Sequence, residues 1–289
     1  VLSAVRVALH VLAFTLLLAL VGCTTIQPVP VADLSPTPVF GHDDFDRVLQ
    51  RFVNDAGRVD YAGLQRDPAD LDRYYARLAT YSPDSHPDLF PTAASRLAYW
   101  INAYNAVAIK TVLATYPIHG VGDVRAPFPF NLFMKRGGFF FFRRAAYGGK
   151  TTSLYYLEHY VIRKRFREPR VHFALNCASR GCPRLPTTAF TGERLDEQLE
   201  RETRRFFTEE RNLRIDDAAR TVHLSSILKW YKAEFLGWYA ERFPDGAATL
   251  LSYAALYAPE RQADLERAAA YAIEFVPYDW RLNDRDAPA

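Results

Sequence analysis

Val171-His172-Phe173-Ala174-Leu175-Asn176-Cys177-Ala178-Ser179-Arg180-Gly181-Cys182-Pro183 runs an apolar segment straight into a polar loop that carries both internal cysteines and follows a histidine. The run from Arg170 to Cys177 predicts a strand, and period-two alternation sends His172, Ala174 and Asn176 to one face, with Val171, Phe173, Leu175 and Cys177 on the other. A bend beginning at Asn176 would turn the Cys177 sulfur towards a cleft.

Working outward, helical patterns dominate. Amphipathic helices are expected over Asp43 to Asn54 and Asp70 to Tyr81, and a longer one from Thr92 to Thr115, before Tyr116-Pro117. The Phe-rich, Gly-punctuated stretch 128–149 predicts a strand over Gly138 to Arg143. A helix over Ser153 to Phe166 precedes the Arg170 to Cys177 strand. Then come a charged helix from Glu193 to Phe207, a hairpin of Leu213 to Ile215 with Val222 to Leu224, renewed helix from Ser226 to Ala270, and a strand over Ala272 to Pro277. Short strands among many helices, with no regular alternation, predict a helix-rich α+β single domain with a small, mainly antiparallel sheet.

The amino-terminal residues carry a different message. Arg6, the apolar core Val11 to Leu18 and Leu20-Val21-Gly22-Cys23 have the order of an export signal. They resemble a bacterial lipoprotein signal, which implies a signal peptide over residues 1–22 and a lipidated Cys23. It also implies, with Thr24 next, retention at the periplasmic face of the outer membrane. Residues 23–40 are proline-rich and are expected to form an extended linker lifting a 41–289 domain off the membrane. Loss of Arg6 leaves 35 basic against 33 acidic residues, which is no footprint for nucleic acid. No cofactor motif is present, and no substrate or protein partner is legible.

Farther along, Trp100-Ile101-Asn102-Ala103-Tyr104-Asn105-Ala106, Leu157-Glu158-His159 with Ile162-Arg163, the His172 to Pro183 stretch, Ser226-Ile227-Leu228-Lys229-Trp230-Tyr231 and Tyr278-Asp279-Trp280-Arg281-Leu282-Asn283 together resemble the domain-of-unknown-function 547 family. The resemblance covers roughly residues 40 to 285 and implies a fold unit without an assigned reaction. Within that family a cysteine is more regular at the position of Cys177 than at that of Cys182.

Three sets of residues are candidates for function. Glu158 shares an aliphatic helix face with Leu154, Leu157, Val161 and Ile162, where a carboxylate needs a partner or a proton. His159 lies about 100 degrees round that helix, so the two cannot point the same way. A nucleophilic Cys177 would draw on His159, His172 or Arg180 to raise its thiolate fraction, with Glu158 orienting an imidazole and the amides of 179–181 serving an oxyanion. That outline is a cysteine-dependent hydrolase or acyltransferase on peptide-like substrates. Against it stand a Cys177–Cys182 disulfide, two inert buried thiols, or a metal site, the last disfavoured by an unusual His-x4-Cys-x4-Cys spacing. The alternative to an enzyme is a non-catalytic envelope binding or scaffold domain. Asn102 and Asn105 form either a clamp on a neighbouring loop or the polar wall of a binding site. Tyr278-Asp279-Trp280 reads as a structural staple, although Asp279 could also supply the acid for a histidine, and His42, His86, His119 and His223 read as solvent-facing or incidental.

Overall fold

The computed structural model describes residues 24–31, 34 and 38–286, so the expected signal over 1–22 and the expected lipidation at Cys23 lie outside the described residues. The class is α+β, and the strands divide between two small three-stranded sheets. In the first, β1 (Thr24–Thr25) runs parallel to β2 (Arg143–Tyr147), which pairs antiparallel with β3 (Lys150–Ser153). In the second, β4 (Leu213–Asp216) and β5 (Thr221–Ser225) form the expected hairpin, and β6 (Ala272–Val276) adds parallel to β5.

Helices surround both sheets. Helix α1 (Asp43–Phe52) places Phe45, Val48, Leu49 and Phe52 on one buried stripe and three aspartates in its first turn, where the helix dipole favours them. The short α2 (Tyr61–Arg66) is capped by Asp60, whose carboxylate accepts from the Gly63 amide at 2.7 Å. Helix α3 (Ala69–Thr80) packs on α1. Helix α4 (Ala93–Leu113) is buried along most of its length and forms the axis of the larger core. It starts at a reciprocal cap, Ser95 N–H to Thr92 Oγ1 at 2.9 Å and Thr92 N–H to Ser95 Oγ at 3.1 Å.

After β3, helix α5 spans 154–166, and its centre, Leu157–Arg163, is wound as a π-helix. Helix α6 (Leu195–Thr208), α7 (Ser226–Trp230), α8 (Lys232–Arg242), α9 (Leu250–Tyr257) and α10 (Gln262–Arg267) complete the chain. A second core forms around Phe173, Phe207, Phe235 and Tyr253. No described helix is long and apolar enough to cross a membrane.

Three expectations are corrected. The Arg170 to Cys177 segment is no strand: Pro169–Phe173 is a 3-10 turn, capped by the Glu168 carboxylate on the Arg170 amide at 3.1 Å. Val171 to Asn176 are all buried, so no exposed face exists for alternation to describe. Gly138–Phe142 is one π-helical turn ahead of β2 rather than a strand. A Cβ on Gly138 would lie 2.0 Å from the Val124 carbonyl oxygen, so the turn depends on that close approach.

The expected linker also does not stand away from the domain. Thr24 and Thr25 pair with Arg143 and Arg144, Ile26 N–H reaches the Arg144 carbonyl at 2.8 Å, and Tyr75 donates its hydroxyl to the Ile26 carbonyl at 2.7 Å. The open edge of β2 and the Tyr75 hydroxyl, which also accepts from the Ala146 amide at 3.1 Å, hold this stretch in place.

Candidate active site

The loop after the 3-10 turn is shaped by its own side chains. Asn176 Oδ1 accepts from the Ala178 amide at 2.9 Å, Asn176 Nδ2 donates to the Pro183 carbonyl at 2.8 Å, and Ala178 sits at φ +64°. This bend, close to where it was expected, turns Cys177 back upon Cys182. Asn105 holds the loop from below, Nδ2 to the Ala174 carbonyl at 2.9 Å and Oδ1 to the Asn176 amide at 2.8 Å. Asn102 does the same for Phe190, at 2.7 and 3.0 Å. Both side chains are buried, and each bonds backbone through its oxygen and its nitrogen, which is the arrangement of a loop clamp.

From above, the segment after β6 runs beside the loop. Gly181 N–H donates to the Asp279 carbonyl and Arg180 N–H to the Arg281 carbonyl, both at 2.8 Å, and Asn283 N–H to the Ala178 carbonyl at 3.0 Å. A Cβ on Gly181 would come within 2.9 Å of the Asp279 nitrogen, so only glycine admits this approach. Asp279 itself caps and pairs with Arg281 and reaches no histidine.

The result is a close pair of thiols under a tyrosine. The two sulfurs are 2.6 Å apart, longer than the roughly 2.05 Å of a disulfide bond and shorter than an ordinary contact of two thiols, and the Tyr278 hydroxyl bonds both, at 3.2 Å to Cys177 and 3.0 Å to Cys182. The Cys177 amide donates to the Cys182 sulfur at 2.9 Å, and Ser179 Oγ lies 3.6 Å from the Cys177 sulfur. Cys177 is partly exposed and Cys182 is buried. Their acidities diverge. The hydrogen bond with Cys182, together with Tyr278 and Ser179, pulls the Cys177 thiol below its ordinary range against the opposing effect of burial. Burial, with the neighbouring Cys177 sulfur, pushes the Cys182 thiol well up.

Cys177 and Cys182 open onto a cavity of about 90 Å³ at the seam between the two cores. Glu158 lines it too, held by Tyr231 at 2.6 Å and Tyr104 at 3.3 Å. Tyr104 and Tyr231 are kept protonated, burial and then the Glu158 carboxylate raising both phenols. His172 lines the same cavity, stacked 3.7 Å from the Tyr231 ring, and its Nε2 bonds Glu234 at 2.9 Å. Glu234 also takes Arg163 Nε at 2.9 Å. Burial alone would raise the Glu234 carboxyl, but His172 and Arg163 outweigh it and bring it to about 2.

The expected imidazole relay does not assemble. No hydrogen bond joins His159 or His172 to either sulfur, and Glu158 orients tyrosines rather than an imidazole. His159 stacks on Tyr155, bonds its carbonyl at 3.1 Å and faces a different cavity with Arg163. The helical offset between Glu158 and His159 is the cause. Arg180 lies on the far side of the thiol loop, in a larger cleft. The site residues that sequence reasoning passed over are Tyr104, Tyr231, Tyr278 and Glu234. Three of them were inside quoted motifs, and each of the five motifs contributes at least one residue to this one cavity. No group of three or more metal-ligating side chains occurs among the described residues.

No curated protein and no solved structure matches the chain. Residues 90–207, which hold α4, α5, both cysteines and all but the last residue of α6, match the model of a family described as "Protein of unknown function, DUF547", the family that the motifs resemble.

Proposed function

We propose that this is a lipid-anchored protein of the bacterial cell envelope whose working group is the Cys177–Cys182 dithiol, acting by thiol–disulfide exchange. The observation that carries the reading is the opposed pair: a partly exposed sulfur with a lowered thiol beside a buried sulfur with a raised one, 2.6 Å apart. The Cys177 thiolate attacks one sulfur of a partner disulfide. The new S–S bond is a mixed disulfide, and the partner's other sulfur leaves as thiolate. Cys182 then attacks the Cys177 sulfur, gives its proton to the departing partner thiolate, and closes the internal disulfide. The dithiol is oxidised by two electrons and the partner disulfide reduced by two; run backwards, the same steps oxidise a partner dithiol. Tyr278, its own phenol held protonated by burial and by the two sulfurs, donates to whichever sulfur carries charge.

A cysteine hydrolase or acyltransferase keeps one observation in its favour, the opening of Cys177 onto a cavity that also holds the Glu158 carboxylate. Envelope anchoring rests on the 1–23 pattern, with β1 beginning at the next residue.

Equilibrating the protein in a glutathione redox series and counting alkylated thiols by mass tests the exchange. The expected outcome is a reversible two-thiol transition between about −120 and −270 mV, the span of exchange proteins, with Cys182→Ser trapping a mixed disulfide on Cys177. A pair that stays reduced, or stays oxidised, throughout the series overturns it. Ester or thioester turnover that survives Cys182→Ser and vanishes in Cys177→Ser selects the hydrolase. Incorporation of an alkynyl fatty acid, abolished by Cys23→Ser, tests the anchor.

A further inference from the structure

Between Asp123 and Glu158 the chain carries no acidic residue and six basic ones, Arg125, Lys135, Arg136, Arg143, Arg144 and Lys150. The same stretch turns large apolar side chains to solvent: Phe128 is 64% exposed, Leu132 72% and Phe133 67%. All three belong to one bonded turn, in which the Phe130 carbonyl accepts from the Phe133 amide at 3.2 Å and from the Met134 amide at 2.8 Å. Rings extend the surface from there. Phe130 packs 5.9 Å from Phe133 and 5.1 Å from Phe142, Phe141 stacks on Tyr155 at 4.3 Å, and the exposed Tyr156 and Tyr160 stack on each other at 5.0 Å. Exposed apolar patches mark interaction surfaces, and aromatic rings set among cations suit the boundary between lipid headgroups and acyl chains.

The place of this face in the fold selects its partner. Thr24 pairs with Arg143 in a parallel ladder, so β1 and β2 enter their sheet from the same end, and Phe141 and Phe142 stand at that end, directly before Arg143. A lipid attached at residue 23 is therefore attached at the Phe-rich end of the sheet. We propose that the 128–142 face docks on an anionic lipid surface, with Phe128, Leu132 and Phe133 entering the acyl boundary and Arg125 and Lys135 meeting headgroup phosphates. The docking rests on the lipid anchor proposed above for its orientation and is independent of thiol exchange.

Photolabelling tests this. The full-length protein, expressed with its own leader, is reconstituted into vesicles of phosphatidylethanolamine and phosphatidylglycerol that contain a phospholipid with a diazirine on its acyl chain, and adducts are located by mass. They should concentrate on residues 126–142 and become about fivefold scarcer in Leu132→Glu/Phe133→Glu, whose carboxylates do not enter hydrocarbon. Ile273 on β6, 41% exposed, should stay unlabelled. Added salt, or neutral lipid in place of phosphatidylglycerol, should lower the yield. Labelling at 128–133 no stronger than at Ile273 overturns the proposal, as does labelling unchanged in the double variant, its fold verified by circular dichroism. So do cross-links between the 128–142 segments of two chains that the double variant abolishes, because they give the face to a second copy. The mass of the amino-terminal peptide keeps the two readings apart. An acylated Cys23 with an unlabelled face removes the docking and keeps the anchor; an unacylated chain, added to the same vesicles and labelled on this face, removes the anchor and keeps the docking.

Discussion

Replacing Tyr278 with phenylalanine deletes the one hydroxyl that bonds both sulfurs while keeping the ring packed, at a tilt, 4.8 Å from Trp230 and 4.4 Å from Trp280. A hydrogen bond to a charged group is worth about 1.5 to 3 kcal/mol, and this hydroxyl divides itself between two sulfurs, so the low end applies. About 1.4 kcal/mol corresponds to one pKa unit. The donor stabilises thiolate more than thiol, so its loss moves the Cys177 thiol upward by about one unit. Below that pKa the alkylation rate follows the thiolate fraction, and at neutral pH it should fall about tenfold. The assay is iodoacetamide modification of the reduced protein across pH, followed at the Cys177 peptide by mass. A midpoint that is unmoved or lowered would refute the assignment of Tyr278 as a donor to the Cys177 thiolate.

Elsewhere the structure makes further commitments. Asn105→Ala leaves the buried Ala174 carbonyl and Asn176 amide without partners and should cost about 2 to 4 kcal/mol in urea unfolding; a loss below about 0.5 kcal/mol would mean that the clamp is idle. His42, expected to be solvent-facing or incidental, packs on Phe40 and bonds Tyr74 at 2.8 Å, and burial, with Arg77 nearby, lowers it from 6.5 to about 3. The unfolded chain takes up this proton as pH falls below 6.5 while the folded one does not, so the stabilisation is complete above 6.5 and erodes between 6.5 and 3. By pH 4.5 about 1 to 3 kcal/mol should be lost, and a His42→Gln variant whose stability kept the same pH slope would contradict this. Gly138→Ala drives a methyl into the Val124 carbonyl and should lower stability by about 2 kcal/mol or more, read as a drop in melting temperature; an unchanged melting curve would show that the turn tolerates a side chain.

Local patterns were the legible part of the fold. Helices α1, α3 and α4 and the β4–β5 hairpin announce themselves through apolar spacing, the Thr92 cap and the Asp216-Asp217 turn, all of which act over a few residues. The 170–177 run misled because a segment buried on every side has no polar face to reveal its period. Pro169 and the Glu168 cap were the signals for a helical turn there. Gly138 to Arg143 carried strand-forming phenylalanines, yet its winding is set by the approach to Val124. At the site, helix geometry did foretell that Glu158 and His159 would part company. It could not foretell that the carboxylate would meet Tyr231 and Tyr104, or that the sulfurs would meet Tyr278, because those pairings join distant stretches of chain.

Tyr278 is synthesised 101 residues after Cys177. A chain that ends anywhere between Cys182 and Tyr278 therefore has both sulfurs without their hydroxyl and without the backbone rail that fixes the loop. The environment of the pair is complete only when nearly the whole chain has been made.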